Sequence, residues 1–370
     1  MIPPGLAAIS RRTWLSRAVV AGVASHTQVA SAAQPDILLG GGRYQEQRDG
    51  RYHFTLSRVE PASGKVRLVP VPFFPHGLSL DPRNRQRVFA FEKIGPGAGV
   101  VDLDSMTWQG AIAPVPGRRF YGHGACSPDG EFLYSTETDA AGQGAIGIRL
   151  ADSLRYVGDF PSFGANPHDC ALIENGQVML VTNGGGAHAS ADTPSLCFID
   201  VRSRKLLARA EMPDPRFNTG HLVALPDRAA VVVSAPRLGW GVEHLGAISH
   251  YRSGGVLVPV VAPEAVVHVL KGEALSVLAL PVHDLLLVTH PTPGLLSCWR
   301  LGSGEHLKSL VLPHVRGVVP SVDGQQLWLS HGANASLLRL PLDSLEPGLA
   351  TGIDNTLLAG SHLFNHALMP

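Results

Sequence analysis

The sequence predicts an all-β fold, a seven-bladed β-propeller of four-stranded blades closed by pairing its C-terminal strand with its N-terminal blade. Three observations predict it: sparse charge with abundant glycine and proline, a strand-turn-strand unit that recurs along the chain, and one partial unit at each end. Of 370 residues only 16% are charged, against 41 glycines and 29 prolines, a balance that suits short strands and tight turns.

The repeat is anchored on Tyr121-Gly-His123-Gly-Ala-Cys-Ser127-Pro-Asp-Gly130. Its shape returns as PHGLSLDP around His76, PHDCALIENG around His168, GHLVALPDR around His221 and PHVRGVVPSVDG around His314. EALSVLALP around Leu275 keeps the apolar pattern without the histidine. After each turn comes a β-rich run, such as RVFAFE, EFLYSTE, QVMLVTN, DLLLVTH or QQLWLSH, then a glycine-rich loop and a third strand such as SLCFIDV or LSCWRL. A fourth, less regular strand completes the unit, and a period of about 40 to 55 residues is that of a propeller blade. From Phe74 onward this gives six anchors. DILLGGG, YHFTLSRV and KVRLVPV supply three strands without an anchor, and the terminal FNHALMP supplies an anchor without strands. Joined, they make the seventh blade and leave the ring without an open edge.

Residues 1–33 read as a twin-arginine export signal that is removed, leaving a single propeller domain over 34–370. Ser10-Arg11-Arg12-Thr13-Trp14-Leu15 carries the arginine pair, Ala18 to Ala24 the short apolar stretch, and Ala30-Ser31-Ala32 a small-x-small cleavage site. The expected location is the periplasm. The apolar stretch is too short to span a bilayer, so no integral membrane segment is expected after its removal. Thirty lysines and arginines balance 30 acids, which argues against nucleic acid as a partner. A monomer is expected. Cys126, Cys170, Cys197 and Cys298 show no CxxC spacing, and a Cys126–Cys170 disulfide and buried free thiols both remain open.

Two columns of polar residues fall where propeller strands meet one mouth of the channel. Inner strands begin at His76, His123, His168, His221, His314 and His366. The returning strands end at Glu92, Glu137, Asn183, His290 and His331. Imidazole and carboxylate in this number suit a transition metal, iron or copper foremost and zinc as well, with His188 and Asn183 as secondary candidates. Each histidine has a structural reading too, a hydrogen bond to a neighbouring blade. No Trp-Asp closes any unit, so the WD40 class is excluded, and no catalytic triad or paired-carboxylate motif is placed.

NPHDCALIENGQVMLVTNGGGAH, PSLCFIDV, GEALSVLALPVHDLLLVTHP and the terminal NHALMP resemble an exported bacterial family known as domain of unknown function 1513. The resemblance implies a seven-bladed propeller and a setting beside imelysin-type periplasmic proteins of iron uptake, hence an accessory role in metal acquisition. Glu137, His168, Asn183 and His366 match the family's recurring motifs. Glu137-Thr138-Asp139 and Asn166 depart from them. Two other classes stand beside the metal-binding reading: a metal-dependent hydrolase resembling the propeller lactonases, whose calcium sits among oxygen ligands, and a metal-free interaction scaffold.

Overall fold

A computed structural model describes residues 34–370, apart from 47, 49, 188, 191, 242, 334, 347–351 and 361. His188 and the expected export signal lie outside the described residues.

Seven antiparallel sheets follow one another. Six contain four strands. The seventh pairs Val318–Pro320, Gln326–His331 and Ser336–Pro341, with a single bridge from Leu337 to Ile353 at its outer position. Among the described residues helix is confined to Glu264–Val267 and two short 3-10 turns. The closing sheet has the order expected from the two orphan ends: Phe364–Asn365 lies inside Leu38–Gln45, followed by Tyr52–Glu60 and Lys65–Val71. Leu38 pairs with Asn365 and Leu39 with Phe364. The C-terminal strand is shorter than FNHALMP, because His366, Ala367 and Leu368 form a turn.

A propeller is held by what fills the gaps between blades, since each sheet is only four strands wide. Seven hydrophobic clusters do this, one between each neighbouring pair of blades. Their members alternate along the strands. In Val178–Asn183, Val178 and Leu180 face one neighbour while Met179 and Val181 face the other. With both faces covered, all six residues are buried, and the run reads as continuously apolar rather than alternating.

Two local devices fix where the inner strands begin. The turn between first and second strands is set by Ser-x-Asp-Gly: Ser127 Oγ donates to Asp129 Oδ1 at 2.5 Å and Ser321 Oγ to Asp323 Oδ1 at 2.5 Å. Gly130 and Gly324 supply the φ of +69° that the turn needs. At the other end a threonine of the second strand reaches the next blade. Thr136 Oγ1 donates to the carbonyl of His168 at 3.3 Å, Thr182 Oγ1 to that of Gly220 at 2.5 Å and Thr289 Oγ1 to that of Arg316 at 2.6 Å. The threonines of EFLYSTE, QVMLVTN and DLLLVTH are therefore inter-blade ties. They hold the segments that carry the histidines.

Asp36 performs the same service at the closure. Its Oδ1 accepts from Val322 N at 2.8 Å and Asn365 Nδ2 at 2.7 Å, and its Oδ2 accepts from Trp328 Nε1 at 2.9 Å. First blade, last blade and C-terminal strand thus share one carboxylate.

Candidate metal centre

Inner strands run along the channel, so the residues at their upper ends converge on its axis. His76, His123, His168 and His221 arrive this way, joined by His362 from just before the closing strand. Ring centroids lie 4.8 Å apart for His76 and His123, 4.7 Å for His168 and His221, and 4.1 Å for His221 and His362. Four Nε2 atoms come closest. His76 and His168 are 3.2 Å apart, His76 and His221 3.2 Å, His168 and His221 2.9 Å, and His221 and His362 2.9 Å. Ligand atoms of His76, His123, His221 and His362 all lie within 4.8 Å of one another. His168 falls outside that foursome but touches it through His76 and His221.

Protonation is decided by the outer ring nitrogens. His168 Nδ1 meets the carbonyl of Tyr121 at 3.0 Å, and a carbonyl only accepts, so Nδ1 carries the proton and Nε2 presents a bare lone pair. His123 Nδ1 faces Asp169 Oδ1 at 3.4 Å, with the same result for its Nε2, which has no hydrogen-bond partner among the described residues. Asp169 is itself held, by Cys170 N at 2.8 Å and Leu222 N at 3.0 Å. A carboxylate behind a histidine is the arrangement that orients metal ligands.

Burial pushes His76, His168, His221 and His362 well below the ordinary histidine range, and the neighbouring imidazoles push in the same direction. His123 is also lowered by burial, with Asp169 opposing. Lys93 adds positive charge nearby while pairing with Glu273 at 3.1 Å. The cluster is accordingly neutral at pH 7. Three neutral nitrogens in a triangle cannot all be paired by protons, since each either carries a hydrogen or does not, and two of the three must be alike. A cation facing three or four lone pairs satisfies them together. Metal to imidazole bonds of about 2.0 to 2.1 Å put donors about 3.3 Å apart at tetrahedral angles and about 2.9 Å apart at right angles. The observed 2.9 to 3.2 Å fits that window.

Below the imidazoles lies a cavity of about 520 Å³, bordered at its head by His123, His221 and His362. Its walls include Leu78, Leu80, Leu172, Leu222, Val277 and Phe364, and it reaches the turn residues Pro82 and Pro128 at the opposite end of the channel.

The second column does not join the first. The returning strand stands behind the inner one, so its last side chains enter the layers between blades. Glu137, 1% exposed, pairs with Arg149 Nη1 at 2.7 Å and accepts from Ser135 Oγ at 2.8 Å. Glu92 Oε2 accepts from Gly97 N at 2.9 Å and closes its own loop. Asn183 Nδ2 donates to the carbonyl of Ser162 at 3.0 Å. His290 is buried beside Ser297 Oγ at 2.9 Å, and burial brings its pKa down to about 3. His331 is half-buried at its strand end, where burial lowers its pKa and Asp354 opposes.

Two members of the first column also stand elsewhere. His314 sits exposed in a turn at φ +55°, and the position equivalent to His221 in that blade is Gly317. A Cβ on Gly317 would lie 2.4 Å from Leu363 Cβ and 2.5 Å from Leu363 N, so the closing segment leaves no room for a histidine there. His366 points away from the channel axis, with Nε2 at 2.6 Å from the carbonyl of Arg85. His362 takes the place assigned to it, and was legible: HLFN at 362–365 repeats the HLVA of 221–224, with histidine directly before the apolar pair. Its Nδ1 lies 3.2 Å from Ser276 Oγ, the residue that stands in place of histidine in the blade built on EALSVLALP. All four cysteines are free thiols, and burial pushes Cys126 up to about 12.

Fold and site together define a β-propeller protein with a buried histidine cluster on its channel axis that could hold a metal. The chain belongs to the family described as protein of unknown function (DUF1513), whose model matches residues 69–355. No curated protein sequence matches it. Among solved structures it is similar to a hypothetical selenium-binding protein from Sulfolobus tokodaii, at 13% identity and a TM-score of 0.67, over 90% of this chain and 93% of that one. It is also similar to hydrazine synthase from Kuenenia stuttgartiensis, at 13% identity and a TM-score of 0.61, over 88% of this chain and all of that one. At such identity the likeness concerns the fold. No described helix is long and apolar enough to cross a membrane.

Proposed function

We propose that this protein is an exported, periplasmic propeller that holds one transition metal ion at the head of its channel, and that it serves as an accessory in metal acquisition. The observation that carries the metal reading is the approach of the buried Nε2 atoms of His76, His168 and His221 to one another at 2.9 to 3.2 Å, joined at 2.9 Å from His221 by that of part-buried His362, with the His168 lone pair fixed inward by Tyr121. An all-nitrogen donor set favours copper, zinc or iron(II). A lactonase-like calcium site would need oxygen donors, which the cluster does not offer.

The test is metal analysis of protein purified from the periplasm, followed by titration of the stripped protein with copper, zinc and iron(II). Stoichiometric metal, lost in the His76→Ala/His168→Ala/His221→Ala variant, is expected. Stoichiometric metal that survives that change, or a protein that takes up none of the three ions, overturns the reading. Lysine at both Arg11 and Arg12 is expected to keep the protein in the cytoplasm. An imelysin-type periplasmic protein is the proposed partner, and co-purification that depends on metal loading is the expected result.

A further inference from the structure

We propose that the rim of the channel mouth binds a small organic carboxylate on the unused edge of the Arg316 guanidinium, with Arg43 and Lys93 supplying further positive charge. This goes beyond the metal reading and does not rest on it, since neither an ion nor the state of any imidazole enters the argument.

The inference starts from how the chain treats its other shielded arginines. Arg149 is paired with Glu137 at 2.7 Å, and Arg237 spends its guanidinium on five backbone carbonyls. Arg316, half-buried, is different. Its Nε donates to the carbonyl of Gly360 at 2.9 Å, and that is its one side-chain hydrogen bond among the described residues. Nη1 and Nη2 have no partner there, yet neither is among the polar atoms sealed from solvent. A guanidinium keeps its charge under burial, so both remain donors on an approachable edge.

The backbone fixes where that edge lies. Gly317 N donates to Ser330 Oγ at 3.0 Å just as Asp169 N donates to Thr182 Oγ1 at 3.0 Å, so Arg316 stands in its blade where His168 stands in its own. Its side chain therefore leaves the inner strand at the mouth, within electrostatic reach of His362. Lys93 and Glu273 come from blades that are not neighbours, and their ion pair at 3.1 Å reaches across the same mouth. Burial lowers the Arg316 pKa, Glu273 opposes that fall and Arg43 adds to it. Arg43 lies with its guanidinium 5.4 Å from the ring centroids of Tyr52 and Phe74 and forms no ion pair among the described residues. Arg316 and Arg43 thus face one carboxylate, Glu273, which Lys93 already engages.

The ligand follows from that edge. Two N–H groups side by side match the two oxygens of a carboxylate, the bidentate pairing that arginine geometry favours. Glu273 stands close enough to be felt, so a dianion such as sulfate meets more repulsion than a monoanion does.

The experiment is calorimetric titration of the metal-free full-length mature protein in low-salt Tris buffer with propionate, with propionamide as the uncharged probe and sulfate as the dianion. Propionate is expected to bind at least about tenfold more tightly than propionamide. Arg316→Gln should remove that preference, and Arg316→Lys, which keeps the charge and loses the fork, should retain only part of it. Glu273→Gln lifts the opposing charge and should tighten propionate binding by up to about fivefold. No propionate binding, propionamide bound equally well, or an Arg316→Gln variant with unchanged affinity overturns the proposal, and sulfate bound more tightly than propionate overturns the choice of ligand. No metal is present in any of these titrations, so each failure leaves the metal reading where it stood.

Discussion

Acidification should destabilise the metal-free protein well before its carboxylates titrate. His290 gives the clearest magnitude, because burial holds it at about 3 while an unfolded chain returns it to about 6.5. Between those values the unfolded state binds a proton that the folded state refuses, so stability rises with pH across that window. The contribution is complete above pH 6.5 and is lost as pH falls below it. At about 1.4 kcal/mol per pH unit, His290 alone removes about 2 kcal/mol between pH 6.5 and 5.0. Burial and the neighbouring imidazoles lower His76, His168, His221 and His362 as well, so they add to the loss in the same direction. Since whole domains are stable by about 5 to 15 kcal/mol, the His290 contribution alone is a readily measured fraction of the total. The assay is urea denaturation of chelator-treated protein at pH 7.5, 6.5, 5.5 and 5.0, with His290→Asn expected to reduce the slope by about one proton. Equal stability at pH 7.5 and 5.5 would refute the picture of buried neutral imidazoles.

The remaining predictions concern the site's hub, its controls and the ties between blades. His221→Ala removes the imidazole that meets three others and should lower metal affinity at least about tenfold, whereas His366→Ala and His314→Ala should leave it unchanged by the same titration. Glu137→Gln strands the buried Arg149 charge and should cost about 3 to 5 kcal/mol in urea denaturation, with no loss of metal. Removing residues 364–370 deletes the closing strand but retains His362; thermal stability should drop sharply, and a truncated protein as stable as the full chain would refute the closure shown by the Leu38–Asn365 pairing. Metal at a thousandfold over its dissociation constant should add about 4 kcal/mol at pH 7.5, measured as a shift of the urea midpoint between stripped and loaded protein.

The repeat made the fold legible. Each blade is a local unit whose turn chemistry, Ser-x-Asp-Gly, and whose apolar runs are written contiguously, and the partial units at the two ends fit only if joined. Four of the converging histidines, His76, His123, His168 and His221, were legible for the same reason, since each stands at a fixed place in its repeat. The periodicity could not reveal which side of a returning strand faces the channel. Glu137 and His290 occupy the right height in their blades, but they stand one strand behind the axis and turn into the inter-blade layers.

What the sequence determined by itself is therefore the architecture, the blade count, the closure and the presence of a histidine near the start of most inner strands. The tertiary structure alone decided which histidines meet. Gly317 excludes one because Leu363 occupies its space, and His366 is drawn to the carbonyl of Arg85 in a turn beyond the strand. His362 completes the cluster because the closing strand is only two residues long. The Nε2 of His168 presents its lone pair inward because a carbonyl 47 residues away accepts a hydrogen bond from its Nδ1–H. Distances of this kind are set by how blades pack around a common axis. A linear chain carries no direct record of that axis.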